Sequence, residues 1–178
     1  MNNVRKLKLI SILKLMGIKS ISEVKEIDNA KDVEYEKNKP FELRLRIQKV
    51  LFFISHGKLD KDLNYSYPIY MRGPYSEDLS KDYFSISEEE FNNAKKVALE
   101  PKVKRLIEYL NKKDNLWLEI ASTLYTLIDF GDYEEDEAMD RIMEFKHDIL
   151  EAKNKGYSYV KKVNEELEKM LELYIVFV

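Results

Sequence analysis

The side chains that could carry acid–base chemistry are few. The chain has two histidines, His56 and His147, and no cysteine. A histidine titrates near neutral pH and suits a general base. Neither of these has a partner at motif spacing. His56 stands at an expected helix end, where positive charge complements the helix dipole, and His147 on the polar face of its helix. Without cysteine there is no thiol nucleophile, disulfide framework or cysteine-ligated zinc. Two acidic runs, Glu88-Glu89-Glu90 and Glu134-Glu135-Asp136-Glu137, lack the alternating acids and central glycine of a calcium loop. Both are expected at helix starts, where carboxylates complement the dipole. No phosphate-cradling glycine loop, nucleophile elbow or zinc-protease histidine pair occurs. The expectation is no enzyme, no metal site and no cofactor.

The segment Tyr70-Met71-Arg72-Gly73-Pro74-Tyr75-Ser76 has a more specific chemistry. Glycine reaches backbone conformations closed to other residues, and proline stiffens the exit. Tyr75 is then held rigidly before a helix that Ser76 can cap. A helix start attracts anions, but Glu77 and Asp78 in its first turn oppose that. Two readings follow: a conformational clamp between strand and helix, or a rigid contact surface of Tyr70, Arg72, Gly73, Pro74 and Tyr75 for a partner. Tyr65, Tyr67, Tyr70, Tyr75, Tyr83 and Phe84 fall within twenty residues. Such a cluster can stack bases, anchor a protein or fill a core.

Charge is distributed unevenly. Residues 1–58 hold 13 Lys and Arg against 7 Asp and Glu; residues 59–113 hold 10 of each; residues 114–178 hold 7 against 16. A basic amino-terminal third can approach phosphate and an acidic last third repels it. The alternative is that the two ends partly neutralise each other within one fold. Arg44, Arg46 and Lys49, which emerge between the apolar faces of one helix, are the candidates for nucleic-acid contact, with Arg5, Lys6, Lys8 and Lys14 beside them.

These residues must be positioned by helices. Apolar spacing predicts helices over 4–16, from Ser20 to about Asn29 behind a Ser20/Glu23 capping box, and over 41–55 behind Pro40. The 41–55 helix is apolar on two sides, hence sandwiched. Residues 30–39 read as a loop. Residues 63–71 alternate and form the one strand candidate, which Pro68 demotes to an edge. Helices follow over 77–83, from Ser87 to about Leu99, over 101–110, 115–130, 133–152 and 157–174. The helix at 115–130 is apolar almost all round, with Glu119, Ser122 and Thr126 as a thin polar sector, and is expected at the centre. At 178 residues the chain reads as one domain: basic helices 1–58, an aromatic Gly-Pro region 59–113 and acidic helices 114–178. Neither end carries a signal peptide or a membrane span, so a cytoplasmic protein is expected.

Three blocks carry a family resemblance: Leu45-Arg46-Ile47-Gln48-Lys49-Val50-Leu51-Phe52-Phe53, Arg72-Gly73-Pro74-Tyr75-Ser76 with Leu79, and Trp117-Leu118-Glu119 with Ala121, Ser122, Leu124 and Leu127. In these, residues 41–170 resemble the YwgA-like group of bacterial and archaeal proteins. They are distantly similar to the Panacea domain of SocA-type antitoxins. The chain departs at Arg72, where many relatives carry an aromatic residue, and in its extended end through Val178. The resemblance implies a mainly α, compact multi-helix domain with a winged-helix-like portion and at most one short β-hairpin. It implies no enzymatic activity and an antitoxin-like or defence-associated context. The expected role is therefore an interaction or regulatory protein with a protein partner. The alternative is a nucleic-acid-binding transcriptional regulator that uses the basic helices.

Overall fold

A computed structural model describes residues 3–26, 39–131 and 133–175. The first helix, α1 (Asn3–Leu15), buries Leu9, Ile10, Ile12 and Leu13. A short α2 (Ser22–Lys25) leads toward α3 (Lys39–His56). After a 3-10 turn at Lys61–Leu63, two-residue strands β1 (Ile69–Tyr70) and β2 (Gly73–Pro74) form an antiparallel hairpin. Then come α4 (Glu77–Ser85), α5 (Glu88–Asn93), α6 (Pro101–Leu110), α7 (Asn115–Phe130), α8 (Glu135–Phe145), α9 (His147–Ala152) and α10 (Tyr157–Tyr174). The protein is mainly α, and the hairpin is the β structure among the described residues.

The centre is α7, which packs against α3, α8, α10 and β2. It is buried from Leu116 through Leu124 and again at Thr126 and Leu127, as an all-round apolar sequence requires. Asp114 caps it by accepting from Trp117 N at 2.7 Å. The second pillar, α3, is buried without interruption from Ile47 to Ser55, so it is enclosed rather than docked.

Local signals hold where the backbone alone satisfies them. Ser76 Oγ accepts from Leu79 N, Ser87 and Glu90 close a capping box, and Pro101 opens α6. Several expectations need correction. Ser20 and Glu23 form no capping box: Ser20 Oγ and Ser22 Oγ both donate to Glu88, and Ile21 stands at the cap position. The helix after Ser87 stops at Asn93 rather than near Leu99. The 133–152 helix breaks at Lys146, whose side chain turns inward. The strand over 63–71 shrinks to two residues. Tyr65 and Tyr67 alternate inward, but Ile69, Tyr70 and Met71 are all exposed. The expected loop at 30–39 and the end of the second helix lie largely outside the described residues.

Charge neutralisation also takes a different route from end to end. The cations of α1 pair with the balanced middle third: Arg5 with Asp82, Lys6 with Glu90, Lys8 with Asp60 and Asp62, at 2.6–3.0 Å. Among the described residues no helix is long and apolar enough to cross a membrane.

Candidate functional site

The hairpin turns through Met71 and Arg72, with Tyr70 paired to Gly73 and Ile69 to Pro74. Gly73 takes φ +81°, and a Cβ there would collide with Thr123 Oγ1 on α7. The turn can sit this deep against α7 because glycine has no side chain.

Folding the turn inward buries backbone carbonyls, which then need donors. Side chains from α3 and from the break between α8 and α9 supply them. Lys49 Nζ on α3 donates to Arg72 O at 2.5 Å and to Pro74 O at 2.8 Å. Lys146 Nζ donates to Met71 O at 2.6 Å. Gln48 makes a reciprocal pair with Ser76: Nε2 donates to Ser76 O at 2.9 Å, and Oε1 accepts from Ser76 N at 2.8 Å. The turn is therefore gripped from Met71 to Ser76.

Beneath it lies a charge cluster. Glu119 Oε1 receives Lys146 Nζ at 2.7 Å, and Arg72 Nη1 lies 3.4 Å from Glu119 Oε2. Lys49, Lys146 and Glu119 are 1%, 5% and 1% exposed. Burial pushes the Lys49 ammonium down from its ordinary value to about 7; Glu119 opposes that shift, while Lys146 and Arg72 add to it.

Above the turn opens a cleft of about 480 Å³. Its apolar wall comes from Phe41, Leu45, Tyr70, Met71, Tyr75 and Phe84, and Arg44, Lys49 and Arg72 are also among its lining residues. Met71 is 94% exposed, Tyr70 49% and Phe84 41%, so large apolar groups of the lining face solvent. The Tyr70 and Tyr75 rings meet edge to face at 5.6 Å, and Arg72 lies over Phe41 at 5.1 Å.

The proposed contact residues Tyr70, Arg72, Gly73, Pro74 and Tyr75 are thus brought together. Gly73 and Pro74 are buried and act by shaping the turn; Tyr70, Arg72 and Tyr75 reach the cleft. The nucleic-acid candidates Arg44, Arg46 and Lys49 need correction, because their charged ends are engaged on backbone carbonyls of other elements. Arg44 Nη1 donates to Val24 O and Glu26 O at 2.9 and 3.0 Å. Arg46 donates to Leu110 O at 2.7 Å and to Lys113 O at 2.9 Å. Lys49 is enclosed by the turn. Each side chain thus spends its charged end on backbone carbonyls.

Lys146 and Gln48 were not expected at the site. Glu119 carried the one readable signal, an acid in the middle of an apolar helix, which requires a buried cation. Elsewhere, His56 lies tilted against Phe52 at 4.3 Å and edge-on to Phe130 at 4.9 Å, and burial lowers its pKa below the ordinary histidine value. His147 is exposed beside Asp148. The acidic runs lie in the first turns of α5 and α8. Among the described residues no three His, Asp or Glu are grouped to hold a metal ion. Comparison with known proteins yields no match to a family model, a curated protein or a solved structure.

Proposed function

We propose that this chain is a non-enzymatic recognition domain that holds a protein partner in the aromatic cleft above the Gly73-Pro74 turn. The observation that carries the reading is the combination of a rigid base and an apolar, exposed rim. Gln48, Lys49 and Lys146 immobilise the turn, so Tyr70, Met71 and Tyr75 are presented without much ordering entropy to lose on binding. Aromatic anchors in a desolvated pocket dominate protein interfaces. An antitoxin-like or defence-associated role in the cytoplasm, as the YwgA-like and Panacea resemblance implies, fits a domain that works by occupying a partner.

The test is co-expression with the product of a neighbouring gene, comparing the unmodified chain with Met71→Glu. A complex lost on Met71→Glu, with the thermal melt unchanged, supports the cleft as the interface. A complex that survives that charge at the rim places recognition elsewhere.

A second reading has a specific observation in its favour. Lys14, Lys96 and Lys104 line a groove of about 530 Å³ between α1 and the segment that leads into α6. A nucleic-acid regulator would use this face rather than Arg44, Arg46 and Lys49. A low-salt titration with duplex DNA, repeated after replacing the three lysines by alanine, decides it: a steep salt dependence that the triple variant flattens supports this reading.

A further inference from the structure

Between Glu135 and Ala152 the sequence holds no glycine or proline, and Ala138, Ile142, Phe145 and Ile149 fall on one stripe of a single helix. Local preference therefore favours one continuous helix. The chain instead leaves the helix at Lys146, whose φ of −113° and ψ of 14° lie off the helical values, and re-enters it at His147 without a side-chain cap. Phe145, beside the break, is 60% exposed, although Ala138 and Ile142 on its stripe are buried. A kink needs an identifiable cause. Here it is the Lys146 side chain, which is buried and whose Nζ donates to Glu119 Oε1 at 2.7 Å and to Met71 O at 2.6 Å.

We propose that Lys146 is a latch. While Glu119 and Met71 hold its ammonium, the chain stays broken between α8 and α9. When it is released, residues 135–152 close into one helix and the hairpin turn loses its hold at Met71. The device joins the acidic helices to the rim of the cleft, and it stands apart from what the cleft holds.

The second arrangement lies close to the first. Lys146 N already donates to Ile142 O and Lys146 O accepts from Leu150 N, both at 2.9 Å, so closure needs new torsions at one residue. Release does not strand the buried acid: Arg72 Nη1 lies 3.4 Å from Glu119, and Lys49 also feels its charge. Met71 is 94% exposed, so water reaches the residue whose carbonyl gives up its donor. Phe145 gains a place on the apolar stripe. Against these stand the two charge-assisted bonds of Lys146. Two packings of the same residues around one acid make a two-state element. Because hairpin and helix share the latch, whatever draws the Met71 carbonyl off Lys146 also straightens the helix, and the converse holds.

The chain has no cysteine, so spin labels on Glu137→Cys and Glu151→Cys, both at exposed positions, report the break. In an uninterrupted helix those positions are about 21 Å apart along the axis. In that background Lys146→Met is expected to lengthen the label distance by several ångströms and to move the Cα shifts of residues 145–147 to helical values. It should also speed hydrogen exchange several-fold at the Gly73 and Tyr75 amides of the hairpin. Lys146→Arg, which keeps a donor, should restore the break. Lys146→Met combined with Glu119→Gln, which buries no carboxylate, repeats the measurement should the single variant fail to fold. A break that persists in a folded variant is set by packing and overturns the inference. A straightened helix with unchanged exchange in the hairpin overturns it too, because the two elements are then uncoupled. If both variants unfold, Lys146 is a fixed structural bond and not a latch.

Discussion

Lys49 and Gly73 define each other. A Cβ on Gly73 would stand 3.3 Å from Lys49 Nζ, so the ammonium reaches the carbonyls on either side of Gly73 through space that any larger residue would narrow. The missing side chain also admits the turn against Thr123 on α7. One glycine thus sets both the backbone conformation of the turn and the position of a buried cation.

Gly73→Val combines a left-handed backbone with a collision, so it should destabilise the fold by about 2–4 kcal/mol. Tyr75→Ala, at a half-buried position on the cleft wall, should cost about 1 kcal/mol or less and reduce partner binding. Urea melts of both variants check this. A Tyr75→Ala protein as unstable as Gly73→Val would make the ring part of the core rather than of an interface.

Stability should rise as the solution goes from pH 7 toward pH 10. Lys49 titrates at about 7 when folded and near 10.5 when unfolded. Between those values the unfolded chain binds a proton that the folded chain lacks, so ∂ΔG/∂pH is positive, at most about 1.4 kcal/mol per pH unit. Above pH 10 the buried tyrosines, Tyr125 pushed up to about 12 among them, oppose the trend, because the unfolded state ionises first. Urea midpoints at pH 7, 8 and 9.5 measure the slope, which Lys49→Met should flatten. A flat profile in the unmodified protein would place the Lys49 titration elsewhere.

Leu124 is fully buried in the central helix. Leu124→Ala should cost about 2–5 kcal/mol through lost burial and a cavity. A thermal melt left unchanged by it would contradict the position of α7 at the centre.

Arg46 caps the end of α6 through Leu110 O and Lys113 O. Arg46→Ala should destabilise by about 1–3 kcal/mol, because Lys113 O loses its side-chain donor and Leu110 O keeps only the Lys113 N–H. Lysine should rescue it poorly, since one ammonium cannot reproduce the planar fork. If Arg46→Ala instead leaves stability intact and weakens binding to DNA, the side chain is a surface cation after all.

The architecture was largely legible in the sequence because it rests on local physics. Apolar periodicity placed α1, α3, α6, α7 and α10 to within a few residues, and capping residues marked the starts of α4 and α5. The breaks at Asn93 and Lys146 were hidden, since no glycine or proline marks them. The site was legible only in part. Gly73, Pro74 and the tyrosines announce a stiff aromatic turn by residue type alone. Whether a cation faces phosphate or a carbonyl depends on what lies across the fold. Arg44, Arg46 and Lys49 read as a basic stripe along one helix. Tertiary packing brings Val24, Leu110, Arg72 and Pro74 carbonyls against them, from residues up to sixty-four positions away. The pairing of Lys146 with Glu119 arises in the same way. A helical sequence determines which side chains share a face; only the approach of another element decides which charges lose their water and must find a partner inside.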